Sequence, residues 1–317
     1  MTVLLIYLLT STLRSGTSIA YTAMGGVVSE RAGVINIGLE GIMTASAFAA
    51  VAGAYISGSP WIGVLFAILI GIAISAVHAV VCITCGGNQS VSSMALILLA
   101  TGFSGIATKA IFGQQGTTAQ VKNMSSFPLL EKIPVVGGVL STLSPLVYIS
   151  VIVLLILIFV FKKTTFGLHI TMVGEHPKAA ETAGISVNRV RYLCVLLSGV
   201  LGGLGGATLS IGQMNLFQEG MVAGRGYLAM AAVIMGNWTP LGAFGASMFF
   251  GFFSALQVYL QTQPSNPIPT EFVQMIPYIA CVLIMVYTSI KRVRQNEEVS
   301  GKPKASGKPY TRFVQSR

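Results

Sequence analysis

Between Gly41 and Thr108 the chain carries no Asp, Glu, Lys or Arg. Soluble domains carry roughly 25% charged residues; this 317-residue chain has 9%, with 53% hydrophobic residues and a mean hydropathy of +0.78. A bilayer selects for that pattern, because one charge at the centre of a membrane helix costs about 2.5–3.5 kcal/mol. A crossing needs ~20 apolar residues, so the stretch holds about three. Ser57-Gly58-Ser59-Pro60 and Gly86-Gly87-Asn88-Gln89 divide it into spans at about 41–57, 61–84 and 90–108.

The same reading continues along the chain. Ile133 to Phe161, Tyr192 to Gln218 and Gly226 to Thr270 are also free of charge. The last holds a short segment, 226–236, a break at Asn237-Trp238-Thr239-Pro240, and a span at about 241–261. A final span lies at about 272–290, with Pro277 inside it. At the N-terminus the apolar stretch precedes Arg14, the reverse of a secretory signal, so an uncleaved first span at about 15–28 is expected, with 2–13 as a separate short arm. The expected fold is an all-α polytopic transmembrane helical bundle of eight spans, nine or ten with the short segments. Residues 1–290 form the membrane domain and 291–317 a basic, disordered tail rich in Ser, Gly, Pro and Lys.

Basic residues orient the bundle. Of the nineteen Lys and Arg, thirteen fall in two places: the tail, and the loop 162–191 with Lys162, Lys163, Lys178, Arg189 and Arg191. Both are expected on the cytoplasmic side of a plasma membrane, and counting spans back from the tail returns the loop to that side. The net charge of +10 thus reports topology and contact with anionic lipid, not nucleic-acid binding.

Missing residues remove chemistry. All nine acidic residues are Glu, so an aspartate-based metal site, a Walker B aspartate and an aspartyl dyad are excluded. His78, His169 and His176 do not form an HExxH motif, and the single Cys82/Cys85 pair reads as two small hydrophobes. Gly102-Phe103-Ser104-Gly105 matches the GxSG of rhomboid proteases. The later histidines fall only in the polar loop, so the motif reads as helix packing. No G-x-x-x-x-G-K-[ST] is present, so the chain binds no ATP or magnesium of its own.

The loop 162–191 carries a helix signal. Pro177 suits a first helical position, Lys178 to Ala183 are good helix formers, and Gly184 suits the position after the last turn. Glu175 stands where the helix dipole favours an anion. A two-turn polar helix between two spans is more than a connection requires, and a docking element for a cytoplasmic partner explains it.

The segment Gly174-Glu-His-Pro-Lys-Ala-Ala-Glu-Thr-Ala-Gly-Ile185 resembles the coupling helix of ABC importer permeases. The likeness is to the subfamily serving branched-chain amino acids, ribose and nucleosides. Ser29-Glu-Arg-Ala-Gly-Val-Ile-Asn-Ile-Gly-Leu-Glu-Gly41 is similar to the signature of its nucleoside permease subunits. Asn88-Gln-Ser-Val-Ser-Ser93 and Gly236-Asn-Trp-Thr-Pro-Leu-Gly-Ala243 fit the same subfamily, and the likeness covers roughly residues 15–290. Ser93 departs from a position usually occupied by glycine. The resemblance implies an ATPase subunit holding ATP and magnesium, a second and different permease subunit, and an extracytoplasmic solute-binding protein. It assigns Gly174, Glu175, Pro177, Ala179, Ala180 and Gly184 to coupling with the ATPase.

The candidate translocation path follows from polar residues at breaks in spans: Glu30, Asn36, Glu40, Asn88, Gln89 and Asn237. Two readings of Glu30 to Glu40 stay open. One is an interfacial turn with Glu30 paired to Arg31. The other is a broken helix unwound at Gly33, Gly38 and Gly41, which a membrane tolerates only where it is buried in protein or lines a cavity. Asn88, Gln89 and Asn237 are turn formers or polar lining. Residues 20–45 and 227–252 share a plan: apolar run, polar break with glycine, small-residue helix. An ion-coupled carrier is the competing class; its mid-span ionisable residues are lacking here.

Overall fold

The computed structural model describes residues 2–124, 142–262, 269–294 and 301–310. Twelve helices are described: α1 Thr2–Arg31, α2 Leu39–Ser57, α3 Pro60–Ala79, α4 Gln89–Phe112, α5 Pro145–Lys163, α6 Thr165–Glu175, α7 Pro177–Thr182, α8 Val187–Leu209, α9 Arg225–Met235, α10 Pro240–Thr262, α11 Thr270–Gln274 and α12 Ile276–Arg294. The described residues contain no strand, only an isolated bridge between Thr117 and Gln218. The last turns of α3 and α8 widen to π-helical spacing over Val80–Thr84 and Ser210–Met214.

Among the described residues, six helices are long and apolar enough to cross a membrane: α2, α3 with its π turn, α4, α5, α8 with its π turn, and α10. Arg225–Met235 and Ile276–Ile290 are shorter apolar helices. Their outer faces expose large side chains such as Leu98, Phe103, Ile106, Leu155 and Leu283, as a multi-pass membrane protein requires where hydrocarbon is the solvent.

The expected arm 2–13 and span 15–28 are one continuous 30-residue helix. Thr10, Thr12 and Thr17 return their hydroxyls to carbonyls four residues back, so these polar side chains do not break it. Arg14 marks a level on that helix. Its Nη2 donates to the Thr142 carbonyl at 2.6 Å and its own carbonyl accepts from Gln213 Nε2 at 2.5 Å. The charge-free stretch Ile133–Phe161 is helix from Pro145 onward, with 125–141 outside the described residues. The final helix continues to Arg294, past the expected limit at 290.

The centre of the bundle is α8 against α1, α2 and α3. Its glycines make this packing possible, and the run Gly199, Gly202, Gly203, Gly205 and Gly206 reads as close helix packing from the sequence alone. A Cβ on Gly203 would meet the Ala67 carbonyl of α3 at 2.7 Å; on Gly206, the Met43 carbonyl of α2 at 2.5 Å; on Gly205, the Ser18 carbonyl of α1 at 2.9 Å. Gly71 and Gly199 face each other so closely that either Cβ would strike the other's carbonyl. Helices in a bilayer gain no hydrophobic drive from meeting, so close backbone contact supplies the attraction. Ser104 turns its hydroxyl onto the Ala100 carbonyl at 2.7 Å, which agrees with the packing reading of its motif.

At one end of the bundle lie α6, α7 and residues 301–310; we call this the basic end. The tail differs here from the disordered segment expected. Pro303 and Ala305 are buried, and two backbone bonds hold the stretch to Gly174 and Gly33. Gly301 and Gly307, at φ +97° and +78°, supply turns that side-chain-bearing residues rarely adopt. At the opposite end, residues 116–121 pair with 215–219, through Thr118 N–H to the Phe217 carbonyl (2.9 Å) and Glu219 N–H to the Gly116 carbonyl (2.8 Å).

Candidate coupling and translocation site

The loop 162–191 contains two helices where one was expected. α6 follows α5 after Thr164, whose Oγ1 accepts the Gly167 N–H at 3.2 Å and caps the new start. α7 runs over Pro177–Thr182 and is capped by Ala183, with Gly184 left-handed at φ +82°. Of the six coupling candidates, Gly174 and Ala180 point inward. A Cβ on Gly174 would strike the Arg31 carbonyl, so the ends of α6 and α1 touch, and Ala180 is fully buried. Ala179 and Gly184 are exposed, as are Lys178, Thr182 and Ala183, while Glu175 and Pro177 are half-buried. Glu175 and Arg31 interact electrostatically. The exposed face of α7 is thus mounted on α6, and α6 on the end of α1.

From that end, residues 32–38 form a broken segment. Gly33 is its unwinding point at φ +91°; Gly38 keeps a helical φ of −64°, and Gly41 packs within α2 against Ile97. Ala32, Val34 and Asn36 are buried, so the segment lies inside protein. Ser29 Oγ donates to the Val34 carbonyl at 2.7 Å. Gln89 Oε1 accepts the Ile35 N–H at 2.8 Å. His78 Nε2 lies 3.1 Å from the Ile35 carbonyl and Nδ1 lies 3.0 Å from Ser92 Oγ. A carbonyl only accepts, so Nε2 carries the proton and a neutral ring takes the serine hydroxyl on Nδ1. Asn36 Nδ2 donates to Ser198 Oγ at 3.0 Å.

The other candidates divide by geometry. Asn88 is exposed, and its Oδ1 accepts the N–H groups of Ser90 (3.0 Å) and Val91 (3.2 Å), so it caps α4. Glu40 holds the start of α9: Oε1 accepts Gly224 N–H at 2.9 Å and Oε2 accepts Gly226 N–H at 2.7 Å. An anion on a helix N-terminus is favoured by the backbone dipoles. Glu30 is bound not to Arg31 but to Trp238, whose Nε1 donates to Oε2 at 2.5 Å. Asn237 and Trp238 are both left-handed, at φ +56° and +53°, a strained conformation for two successive residues with side chains. The break before α10 is therefore clamped to the break after α1. The two segments that shared a plan in sequence are in contact.

Six buried polar atoms on the first four helices and their break have no hydrogen-bond partner: Glu30 Oε1, Arg31 Nε, Asn36 Oδ1, Ser46 Oγ, Ser75 Oγ and Ser93 Oγ. Each costs about 1–3 kcal/mol if left so. Native proteins carry few such groups, and they concentrate where something else supplies the bond. Gly38 lies between two of them, its Cβ position 3.1 Å from Asn36 Oδ1 and 3.5 Å from the Ser93 Cα. The arrangement can offer hydrogen bonds to a small polar solute or water. The sequence reading missed His78, Ser92 and Ser198. His78 stands inside an apolar span, and a polar residue there was itself a signal.

A family model described as branched-chain amino acid transport system / permease component matches residues 8–285. The nucleoside ABC transporter permease protein NupC of Lactococcus lactis subsp. cremoris (strain MG1363) is 38% identical over 304 residues, covering 93% of each chain. The guanosine ABC transporter permease protein NupQ of Bacillus subtilis (strain 168) is 37% identical over 301 residues, 91% of each. A putative glucose ABC transporter permease protein, TsgC13 of Haloferax volcanii, is 29% identical over 307 residues, 90% of this chain and 92% of that one.

Proposed function

The chain belongs to the branched-chain amino acid transport system / permease component family, and we propose that it is the nucleoside-translocating permease subunit of an ATP-driven importer in a bacterial cytoplasmic membrane. The observation that carries the substrate class is end-to-end similarity, 38% and 37%, to permeases named for nucleosides and guanosine. A sugar such as glucose is the second reading, which the relative at 29% favours more weakly.

In this reading the basic end is cytoplasmic. The exposed face of α7, with Lys178, Ala179, Thr182 and Ala183, meets a separate ATPase subunit that holds ATP and magnesium. Closure of the ATPase pair displaces α7. The contact of Gly174 with Arg31 passes the displacement to the end of α1. The Glu30–Trp238 bond passes it on to the break before α10. Packed contacts with two arrangements are how such motions travel. The path itself opens beside the 32–38 break, where the unpartnered atoms of Asn36 and Ser93 meet the hydroxyl and ring-nitrogen groups of a nucleoside in passing. A solute-binding protein on the far side sets specificity, and a second, different permease subunit completes the path.

Co-expression with the neighbouring genes, pull-down in detergent and reconstitution in liposomes test the proposal. The expected result is an ATPase and a second permease in the eluate, and ATP-dependent guanosine uptake that adenosine competes for and glucose does not. A chain that elutes alone and moves solute without ATP is an ion-coupled carrier, and the importer reading is then wrong.

A further inference from the structure

The ten tail residues at the basic end are built into it. Ala305 N–H donates to the Gly174 carbonyl at 2.9 Å and Gly307 N–H to the Gly33 carbonyl at 3.1 Å. The Lys308 carbonyl accepts Arg191 Nη1 at 3.2 Å. The Tyr310 ring covers the Arg191 guanidinium at 5.8 Å, and its hydroxyl bonds the Glu181 carboxylate of α7. Gly301 rests against Asn237. One short segment thus touches the α1–α2 break, the joint between α6 and α7, the end of α7, α8 and the break before α10. Arg191 is a guanidinium only 1% exposed, and burial of a charge is unfavourable unless it is paired or hydrogen-bonded. The tail supplies one bond, to Nη1, and the Tyr310 ring face, while Nε and Nη2 are buried without a partner.

Between the tail and α7 runs a groove of about 570 Å³. One wall is Glu175 to Ala179, the other Lys304, Ala305 and Lys308 to Tyr310, with Arg191 at the base. Lys178, Arg191, Lys304 and Lys308 set its charge against one carboxylate, Glu175. The tail bonds to Gly174 and Glu181 and leaves Lys178, Ala179, Thr182 and Ala183 exposed. It flanks the outward face of α7 without covering it.

We propose that residues 301–310 form the second wall of the docking surface whose first wall is α7, and that the groove between them receives an acidic segment of the cytoplasmic ATPase subunit. This rests on the importer reading above. Charge complementarity and continuity with α7 choose the occupant: a groove with two protein walls receives a protein segment, whereas a lipid surface meets an open basic face. Exposed charges at the edge of an interface steer and hold a partner in a salt-dependent way.

The test uses the full-length chain co-expressed with its ATPase. The readouts are ATPase retained on the affinity-purified permease at rising salt, and zero-length carbodiimide cross-links mapped by mass spectrometry. We expect cross-links from Lys304 or Lys308 to ATPase carboxylates. We expect Lys304→Glu/Lys308→Glu to lower retention on the order of tenfold, and Lys304→Gln/Lys308→Gln by a few-fold, with unchanged gel filtration in detergent. Wild-type retention together with full retention by the charge-reversed variant, or absence of those cross-links, overturns the second wall and leaves the importer reading standing. If charge reversal spares the ATPase but lowers binding to phosphatidylserine vesicles, the groove serves lipid and the proposal is wrong. A wild-type chain that retains no ATPase overturns both readings.

Discussion

Trp238 donates its indole N–H to Glu30 Oε2 at 2.5 Å, joining residues 208 positions apart in the chain. The bond closes a seam between the helix break after α1 and the break before α10. It leaves the other carboxylate oxygen of Glu30 buried without a partner. A carboxylate so placed depends on its one donor.

Trp238→Phe keeps the aromatic ring in its buried site and removes that donor. We expect a loss of about 1–3 kcal/mol, read as a lower thermal midpoint in detergent, together with reduced uptake. Glu30→Gln in the same chain should recover part of the loss, because it removes the stranded charge. Full additivity of the two substitutions would show that the residues do not interact.

Glu40→Ala takes the acceptor from two N–H groups at the start of α9, Gly224 and Gly226. The expected destabilisation is about 2 kcal/mol. Glu40→Gln retains one acceptor oxygen and should fall between. Hydrogen exchange at Gly224 to Leu228 locates the effect; acceleration elsewhere but not there contradicts the assignment.

Ala179 and Ala180 are neighbours with opposite environments, one exposed and one fully buried. Ala179→Trp should express at wild-type level and lose ATPase-driven uptake, while Ala180→Trp should fail to reach the membrane in folded form because the core has no room. Charge reversal at Glu175 should act like the Ala179 change, since Glu175 also interacts with Arg31. Wild-type uptake by Ala179→Trp would remove α7 from the coupling role.

Gly71→Ala should cost about 1–3 kcal/mol or more, since its Cβ would strike the Gly199 carbonyl. Gly245→Ala meets nothing within 4 Å and should be neutral or stabilising by up to about 1 kcal/mol, through helix propensity. Thermal midpoints of the two variants in one detergent decide it.

Cysteine labelling checks the orientation. In a background freed of the natural cysteines, His176→Cys and Lys304→Cys, both at exposed positions, should react only after the membrane is permeabilised, and Ser57→Cys should react from outside. External labelling of His176→Cys would reverse the topology and place α7 out of reach of a cytoplasmic partner.

The sequence by itself determined the membrane setting, the helical class, the limits of α2, α3 and α4 to within a few residues, and the short helix 177–182. Each depends on local physics: charge exclusion from hydrocarbon, the length of a crossing, and the special conformations of Pro177 and Gly184. The glycines of α8 also announced close packing. Only the tertiary structure decided which side chains meet. That Glu30 belongs to Trp238 and not to its neighbour Arg31, that Gln89 serves the Ile35 backbone while Asn88 only caps a helix, and that His78 and Ser198 complete the polar cluster all depend on side chains from different helices meeting. Spacing along a chain does not encode such contacts. The tail is the clearest case. Its composition reads as solvated, yet residues 301–310 are held by backbone bonds to Gly174 and Gly33 and by a buried arginine, partners that exist only once the bundle has assembled.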